Sequence, residues 1–167
     1  MTSHHSHGKH SHPHSSRPHT HAKVHIEKEK LALRFYEVIP STLEALDEVI
    51  DMLLILAREM KCSSLELEEV ELALREALAN AVVHGNRQDP DKKVAVRAFC
   101  QPDRGMLLVV EDEGSGFDPS KVPNPTRAES LLETHGRGLY LMQRLMDRVR
   151  ISRKGTRITM VKRLRNR

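Results

Sequence analysis

Apolar side chains recur along the chain with two different periods. A two-residue period joins Leu31, Leu33 and Phe35 and predicts a strand with one buried face. A period of three to four residues follows Pro40 and recurs after Ser63, which predicts two amphipathic helices. The apolar positions of the first helix, expected to reach Met60, are Leu43, Leu46, Ile50, Leu53, Leu54 and Ala57; those of the second, expected to end at Gly85, are Leu67, Val70, Leu74, Ala77, Leu78 and Ala81.

The starts of both helices match the sequence of a capping box. Ser41 and Glu44 have the spacing at which a hydroxyl and a carboxylate satisfy each other's unpaired backbone amides, and Ser63-Ser64-Leu65-Glu66 repeats the pattern. Glycine commonly follows the last turn of a helix, so Gly85 is expected to be the C-cap of the second helix.

The rest of the chain predicts two hairpins, a long loop and one more helix. Strands without strict alternation with helices favour an α/β fold, here a two-layer α/β sandwich with a mixed, mostly antiparallel sheet and helices on one face. The expected elements are a hairpin of Val94–Phe99 and Met106–Glu111, a loop from Gly114 to Gly138, a helix from Leu139 to Arg148, and a hairpin of Val149–Ser152 and Thr156–Val161.

The N-terminal segment has a different composition from the rest. Nine of the eleven histidines lie between His4 and His25, among Ser, Pro, Thr and Lys, so the segment lacks the apolar side chains that would offset the entropy of ordering it. We expect residues 1–26 to be a disordered tail and residues 27–167 to form one domain. Dense imidazoles can bind Zn, Ni or Cu loosely, which leaves metal handling by the tail, or an expression tag, as alternatives.

Charge and composition exclude several classes of protein. The net charge is +4, but residues 1–25 hold three cations and no acid, which leaves +1 for residues 26–167. A balance this close to zero, with 3% aromatic residues and no Trp, argues against direct nucleic-acid binding. Cys62 and Cys100 form no Cys-x-x-Cys motif, and the chain has no apolar run of the roughly 18 residues that cross a bilayer. A reducing cytoplasm and no membrane association are expected.

Three short motifs carry candidate chemistry. Glu76 and Asn80 lie one turn apart on the second helix among apolar residues, where a hydrated Mg²⁺ could compensate their burial. Asp112-Glu-Gly-Ser-Gly116 follows an apolar strand and combines a carboxylate with two glycines that permit close backbone approach. Gly136-Arg137-Gly138 precedes the third helix, where free amides favour an anion. Each motif alone is also typical of a surface patch or an ordinary turn.

Together, in this order, the three motifs resemble the conserved boxes of the GHKL ATPases, which have the Bergerat ATP-binding fold. The N box corresponds to Glu76–Gly85, the first glycine box to Asp112–Gly116 and the second to Gly136–Met142. The resemblance covers about Leu31 to Leu164. Within the superfamily, the short domain and the sequence from Gly138 to Asp147 most resemble the bacterial anti-sigma factor serine/threonine kinases of partner-switching systems.

The resemblance implies a role for each matching residue. Asp112 would read the adenine amino group with help from Thr156, Asn80 would ligate Mg²⁺, and Glu76 would be the catalytic base. The remaining nucleotide-binding positions would be Gly114, Gly116, Gly136, Arg137, Gly138 and Leu139, with a lid over the nucleotide from Ser115 to His135. The charge and position of Arg137 suggest that it meets a phosphate, and His84 is expected to cap its helix rather than contact the phosphates.

The resemblance also implies the cofactors and partners. We expect a protein that binds ATP and Mg²⁺, sequesters a sigma factor, phosphorylates a Ser or Thr of an anti-anti-sigma protein of the STAS type, and forms a homodimer. One alternative is a nucleotide-gated binding module without kinase activity. Another is a histidine-kinase-like ATPase domain, which is disfavoured because sensor kinases usually have Asn and Lys where this chain has Glu76 and Val83.

Overall fold

A six-stranded antiparallel sheet carries the helices of the protein on one face. The computed structural model describes residues 23–27, 32–59, 64–101, 104–116 and 134–163. The elements are β1 (Lys23–Glu27), β2 (Ala32–Pro40), α1 (Glu44–Glu59), α2 (Ser64–Ala79), a π turn (Asn80–Gly85), β3 (Lys93–Gln101), β4 (Gly105–Asp112), α3 (Thr134–Leu145), β5 (Arg148–Ser152), a 3-10 turn (Arg153–Gly155) and β6 (Arg157–Lys162).

The strands lie in the order β1-β2-β3-β4-β6-β5. The prediction was a mixed, mostly antiparallel sheet, and every pairing among the described strands is antiparallel. Alternate residues of β2, β3, β4 and β6 are buried under the helices and form one apolar core, as the two-residue period predicted for β2. The α/β two-layer sandwich is therefore confirmed.

The start of α1 differs from the predicted capping box. The helix begins at Glu44, and the buried Ser41 hydroxyl has no hydrogen-bond partner among the described residues. The Ser41 amide instead donates to the Lys92 carbonyl at 3.1 Å, which holds this serine at the end of β2. Leu43 consequently lies before the helix and is 48% exposed, whereas the other predicted core positions of α1 are buried. Ser63 lies outside the described residues, so the second capping box stays a prediction.

The second helix ends in a way that the sequence did not predict. After Ala79 the chain widens into the π turn, and the Asn86 amide donates to the Ala81 carbonyl at 2.8 Å. The C-cap is Asn86, in a right-handed conformation, so the expectation that Gly85 caps the helix was wrong. π-Helical turns occur frequently at functional sites because they rotate the side chains that follow.

The third helix begins five residues earlier than predicted and ends at Leu145. Gly136 and Gly138 therefore lie inside the first turns of α3 rather than before it. The predicted lid lies mostly outside the described residues, because residues 117–133 are not among them. The last hairpin matches its prediction within one residue at each end, except that Thr156 lies in the turn before β6.

The N-terminal boundary also differs from the prediction. β1 pairs with β2 from Lys23 to Glu27, so the sheet starts within the segment expected to be a tail. Residues 1–22, with most of the histidines, lie outside the described residues. Within the part of the chain that is described, no helix is both long and apolar enough to cross a bilayer.

Candidate functional site

The glutamate and asparagine of the first motif face the second glycine motif. Glu76 lies in the last turn of α2, Asn80 begins the π turn, and both are half-buried. A Cβ atom placed on Gly138 would lie 2.7 Å from the Glu76 Oε2 atom and 3.3 Å from the Asn80 Nδ2 atom. Only a residue without a side chain lets α3 approach this closely. The absence of a Cβ at Gly138 leaves both polar groups against a backbone surface.

The aspartate of the second motif lies against the end of the first. A Cβ atom on Gly85 would lie 2.5 Å from the Asp112 Cγ atom, so a glycine is required here for close approach rather than for a left-handed conformation. The Gly114 amide donates to Asp112 Oδ1 at 2.8 Å, and the Gly114 backbone contacts the Gly85 carbonyl. The π turn and the glycine loop thus hold the Asp112 carboxylate between them.

The turn before β6 completes this end of the site. The Asp112 amide donates to the Thr156 carbonyl at 3.0 Å, and the Thr156 hydroxyl donates to the Arg153 carbonyl at 3.0 Å. Gly116 has a φ of +74° and packs against the Lys154 carbonyl, where any Cβ would clash with backbone. Asp112, Gly116 and Thr156 therefore surround one point at the end of β4.

The environment of Asp112 affects its charge. Burial raises the pKa of the Asp112 carboxyl above its ordinary value, although the hydrogen bond from the Gly114 amide opposes the shift. A partly desolvated carboxylate that keeps an acceptor oxygen is suited to receive a hydrogen bond from an amine of a ligand.

Asn86 is a site residue that sequence reasoning missed. Its side chain is fully buried; Nδ2 donates to the Lys93 carbonyl at 2.9 Å, and Oδ1 accepts from the Glu113 amide at 2.9 Å. These bonds join the end of the π turn to the start of β3 and to the loop after Asp112. An Asn directly after the N-box glycine was the available signal, but its distant backbone partners are not visible in the sequence.

The other predicted residues have less defined surroundings. Gly136 lies in the first turn of α3, Arg137 is exposed, and Leu139 is half-buried and packs against the core. The phosphate contact predicted for Arg137 and the capping role of His84 stay predictions. No group of three or more His, Cys, Asp or Glu residues that could hold a metal is found within the described ranges, and the histidines from His4 to His21 lie outside them.

The fold and this arrangement of motifs define a nucleotide-binding domain of the GHKL type, and comparison with known proteins identifies the family. The chain belongs to the histidine kinase-like ATPase domain family, whose model matches residues 39–162. The family resemblance seen in the three motifs is thereby confirmed, and the family name implies use of ATP.

The curated relatives are kinases and anti-sigma factors by name. The chain is 35% identical over 104 residues to serine-protein kinase RsbW of Bacillus subtilis, a match that covers 58% of this chain and 64% of that protein. It is 34% identical over 114 residues to RsbW of Bacillus licheniformis, covering 64% and 71% of the two chains. Anti-sigma F factor of Oceanobacillus iheyensis is 31% identical over 105 residues, covering 59% and 70%.

Proposed function

We propose that this protein is an Mg-ATP-dependent serine/threonine kinase that acts as an anti-sigma factor. In this proposal it phosphorylates an anti-anti-sigma protein of the STAS type and sequesters a sigma factor. The observation that carries the proposal is the approach of Gly138 to Glu76 and Asn80, because it brings the residues suited to phosphoryl transfer against a glycine-lined backbone surface.

The residues present fit a magnesium-bound nucleotide. Asn80 offers an amide oxygen of the kind Mg²⁺ accepts, with the Glu76 carboxylate one helical turn away. A Cβ at Gly114 would overlap the Gly85 carbonyl, and a Cβ at Gly138 would lie 2.7 Å from Glu76 Oε2, so these glycines permit the close packing on which the geometry of the site depends. The half-buried Asp112 lies at the opposite end of β4 from the hairpin turn and offers an acceptor for an adenine amine. We propose Gly116, Gly136, Arg137, Leu139 and Thr156 as the other nucleotide-binding residues.

Glu76 is the proposed catalytic base. Bound Mg-ATP supplies the γ-phosphoryl group and the charge that neutralises it. The Glu76 carboxylate would accept the proton of the substrate Ser or Thr hydroxyl as the hydroxyl oxygen bonds to the γ-phosphorus and the bond from that phosphorus to ADP breaks, with ADP as the leaving group. Asn80 would hold the metal end of the nucleotide. Asp112 and Thr156 orient the base end of the nucleotide, and the absence of a side chain at Gly138 keeps α3 close to Glu76 and Asn80.

The names of the relatives support the partner assignment. Two of them are serine-protein kinases and one is an anti-sigma F factor, which favours a protein substrate with a serine and a sigma factor as partner. A cytoplasmic homodimer is part of the same proposal. A passive, nucleotide-gated binding module is the competing function, and an assay of phosphoryl transfer separates the two.

The test is incubation of the protein with labelled Mg-ATP and candidate antagonist proteins. Glu76→Gln is expected to keep nucleotide binding and to reduce transfer to a partner Ser or Thr by about 10²- to 10⁴-fold, since it removes a general base. Asn80→Ala is expected to weaken Mg-ATP binding by roughly tenfold or more, because even a change next to the direct ligands of a metal typically lowers metal affinity by about tenfold. Glu71→Gln is the matched control, because Glu71 is on the same helix but accepts a hydrogen bond from Arg75.

The possible outcomes assign the function. Undiminished transfer by Glu76→Gln removes Glu76 as the base. Nucleotide binding without label on any partner favours the passive binding module, and label on a histidine of this protein favours the histidine-kinase alternative. Wild-type protein that does not bind adenine nucleotides with divalent ions refutes the proposal as a whole.

A further inference from the structure

Glu111 directly precedes Asp112, the residue proposed to recognise the base. Its side chain lies on the sheet face opposite to the one that carries Asp112 and the helices. There it meets three guanidinium groups from β3, β6 and the 3-10 turn. Its Oε1 lies 2.6 Å from Arg153 Nη1, and its Oε2 lies 2.7 Å from Arg157 Nη2 and 3.1 Å from Arg97 Nη1. Arg157 also donates from Nε at 3.2 Å, so this arginine binds the carboxylate through two nitrogens.

The Glu111 carboxylate is held in its charged form. Burial by itself raises the pKa of Glu111, but hydrogen bonds from Arg157 and Arg97 and the nearby charges of Arg157 and Arg153 outweigh this effect, so the pKa lies below its ordinary value. The Glu111 side chain is 16% exposed, whereas the Arg153 side chain is 61% exposed. The less exposed carboxylate is therefore the fixed centre of the cluster, and the arginines are drawn to it.

The two arginines with the shortest contacts to Glu111 lie at the start of the 3-10 turn and directly after Thr156, which follows it. Arg153 and Lys154 have φ values of 52° and 55°, in the left-handed region that is unfavourable for residues with a side chain, and Gly155 follows with a φ of 95°. Strained residues persist only where surrounding contacts hold them. The hydrogen bonds that Arg153, in the turn, and Arg157, after it, donate to Glu111 supply such contacts.

The same turn forms one wall of the nucleotide site. Its Lys154 carbonyl packs against Gly116, and the Thr156 carbonyl accepts from the Asp112 amide at 3.0 Å. The Thr156 hydroxyl donates to the Arg153 carbonyl at 3.0 Å, so the position of Thr156 depends on the residue that Glu111 holds.

From this geometry we infer that Glu111 is a positioning residue that clamps the turn of Arg153–Thr156 onto β4 and so determines how the site recognises the nucleotide base. The inference rests on the proposed function, because it assumes that Asp112 and Thr156 bind the base. Glu111 itself lies on the opposite sheet face and acts through the turn.

The experiment compares ADP and GDP binding by the full chain and its variants. Glu111→Gln is expected to weaken ADP binding by about tenfold and to leave GDP binding nearly unchanged, since it removes charge-assisted hydrogen bonds that position the base-reading groups. The preference for ADP over GDP then narrows by the same factor. Asp47→Asn is the matched control: Asp47 binds Arg75 at 2.8 Å in an exposed ion pair between α1 and α2, which makes no contact with Glu111 or with the turn of Arg153–Thr156 in the described hydrogen bonds and ion pairs.

A second variant tests the coupling. Arg153→Gln changes an exposed side chain and is expected to reproduce the loss of ADP affinity. The Glu111→Gln/Arg153→Gln double variant is expected to bind ADP no more weakly than the single variant that has the lower ADP affinity. Losses that add in the double variant would overturn the clamp.

The remaining outcomes separate this inference from the function on which it depends. Equal weakening of ADP and GDP by Glu111→Gln would show a general structural role and overturn the inference, as would unchanged ADP affinity. Wild-type protein without affinity for either nucleotide would refute the proposed function and the inference together.

Discussion

Substitution of Gly85 by alanine perturbs the site through a single contact. The added Cβ would lie 2.5 Å from Asp112 Cγ and 2.6 and 2.7 Å from its two oxygens. Carbon atoms are in favourable contact only at about 3.5–4.0 Å, so the carboxylate must move by about 1 Å. A shift of this size breaks the 2.8 Å hydrogen bond from the Gly114 amide and displaces the acceptor proposed to bind adenine.

The expected effects on affinity and stability differ in size. Loss of a hydrogen bond to a charged group costs about 1.5–3 kcal/mol, which predicts ADP binding weaker by about 10- to 150-fold. For stability, alanine gains about 1 kcal/mol over glycine in a helical conformation, while overpacking costs roughly 1–3 kcal/mol. The free energy of unfolding should therefore fall by at most about 2 kcal/mol.

The assay is a pair of measurements, ADP affinity by displacement of a fluorescent nucleotide and the free energy of unfolding by denaturant titration. The Asp112→Ala background is the control, because it removes the group that the new methyl would meet. In that background Gly85→Ala should cause no further loss of affinity and should stabilise the protein. Wild-type ADP affinity in Gly85→Ala, or a stability loss that persists without the Asp112 carboxylate, would refute the reasoning.

Two further predictions concern buried charges away from the site. Glu37 is 8% exposed, and burial together with the charge of Glu48 raises its pKa. Glu37→Gln should therefore raise the free energy of unfolding at pH 7. This gain should disappear as the pH falls below 4.5, the ordinary pKa of the carboxyl, because the unfolded chain then takes up the proton as well. Urea titrations of both proteins from pH 7 to below pH 4.5 measure the difference in free energy of unfolding, and a difference that does not change with pH would contradict the prediction. Lys162 pairs with Glu69 and donates to the Leu145 carbonyl at 2.7 Å. Lys162→Met leaves the Glu69 carboxylate without this partner and should lower the free energy of unfolding by about 3 kcal/mol in a urea titration. Equal stability of the variant and the wild-type protein would contradict this prediction.

Much of the fold could be predicted because its signals are local. The alternation in β2 and the three- to four-residue spacing in α1 and α2 arise from side-chain directions that neighbouring residues determine. The hairpin turn before Gly105, which has a φ of +98°, and the last hairpin were predicted for the same reason. The motifs around Glu76, Asp112 and Gly138 were visible as residue patterns before any contact was known.

Other features depend on partners that are distant in the chain. Ser41 has the sequence of a cap, but pairing with Lys92 keeps it at the end of a strand. Gly85 looks like a helix terminator, yet its function in the structure is to make room for Asp112, 27 residues later. The role of Asn86 likewise depends on Lys93 and Glu113.

The sequence by itself determined most of the elements, with β1 and the π turn as exceptions, as well as the family and the types of chemical group that the site contains. Only the tertiary structure decided which of those groups meet and how closely: Gly138 against Glu76, Gly85 against Asp112, and Glu111 between arginines on three elements. The physical reason is that periodicity reports which side of an element is apolar, whereas contacts between elements depend on packing at distances of a few ångströms, which no local pattern encodes.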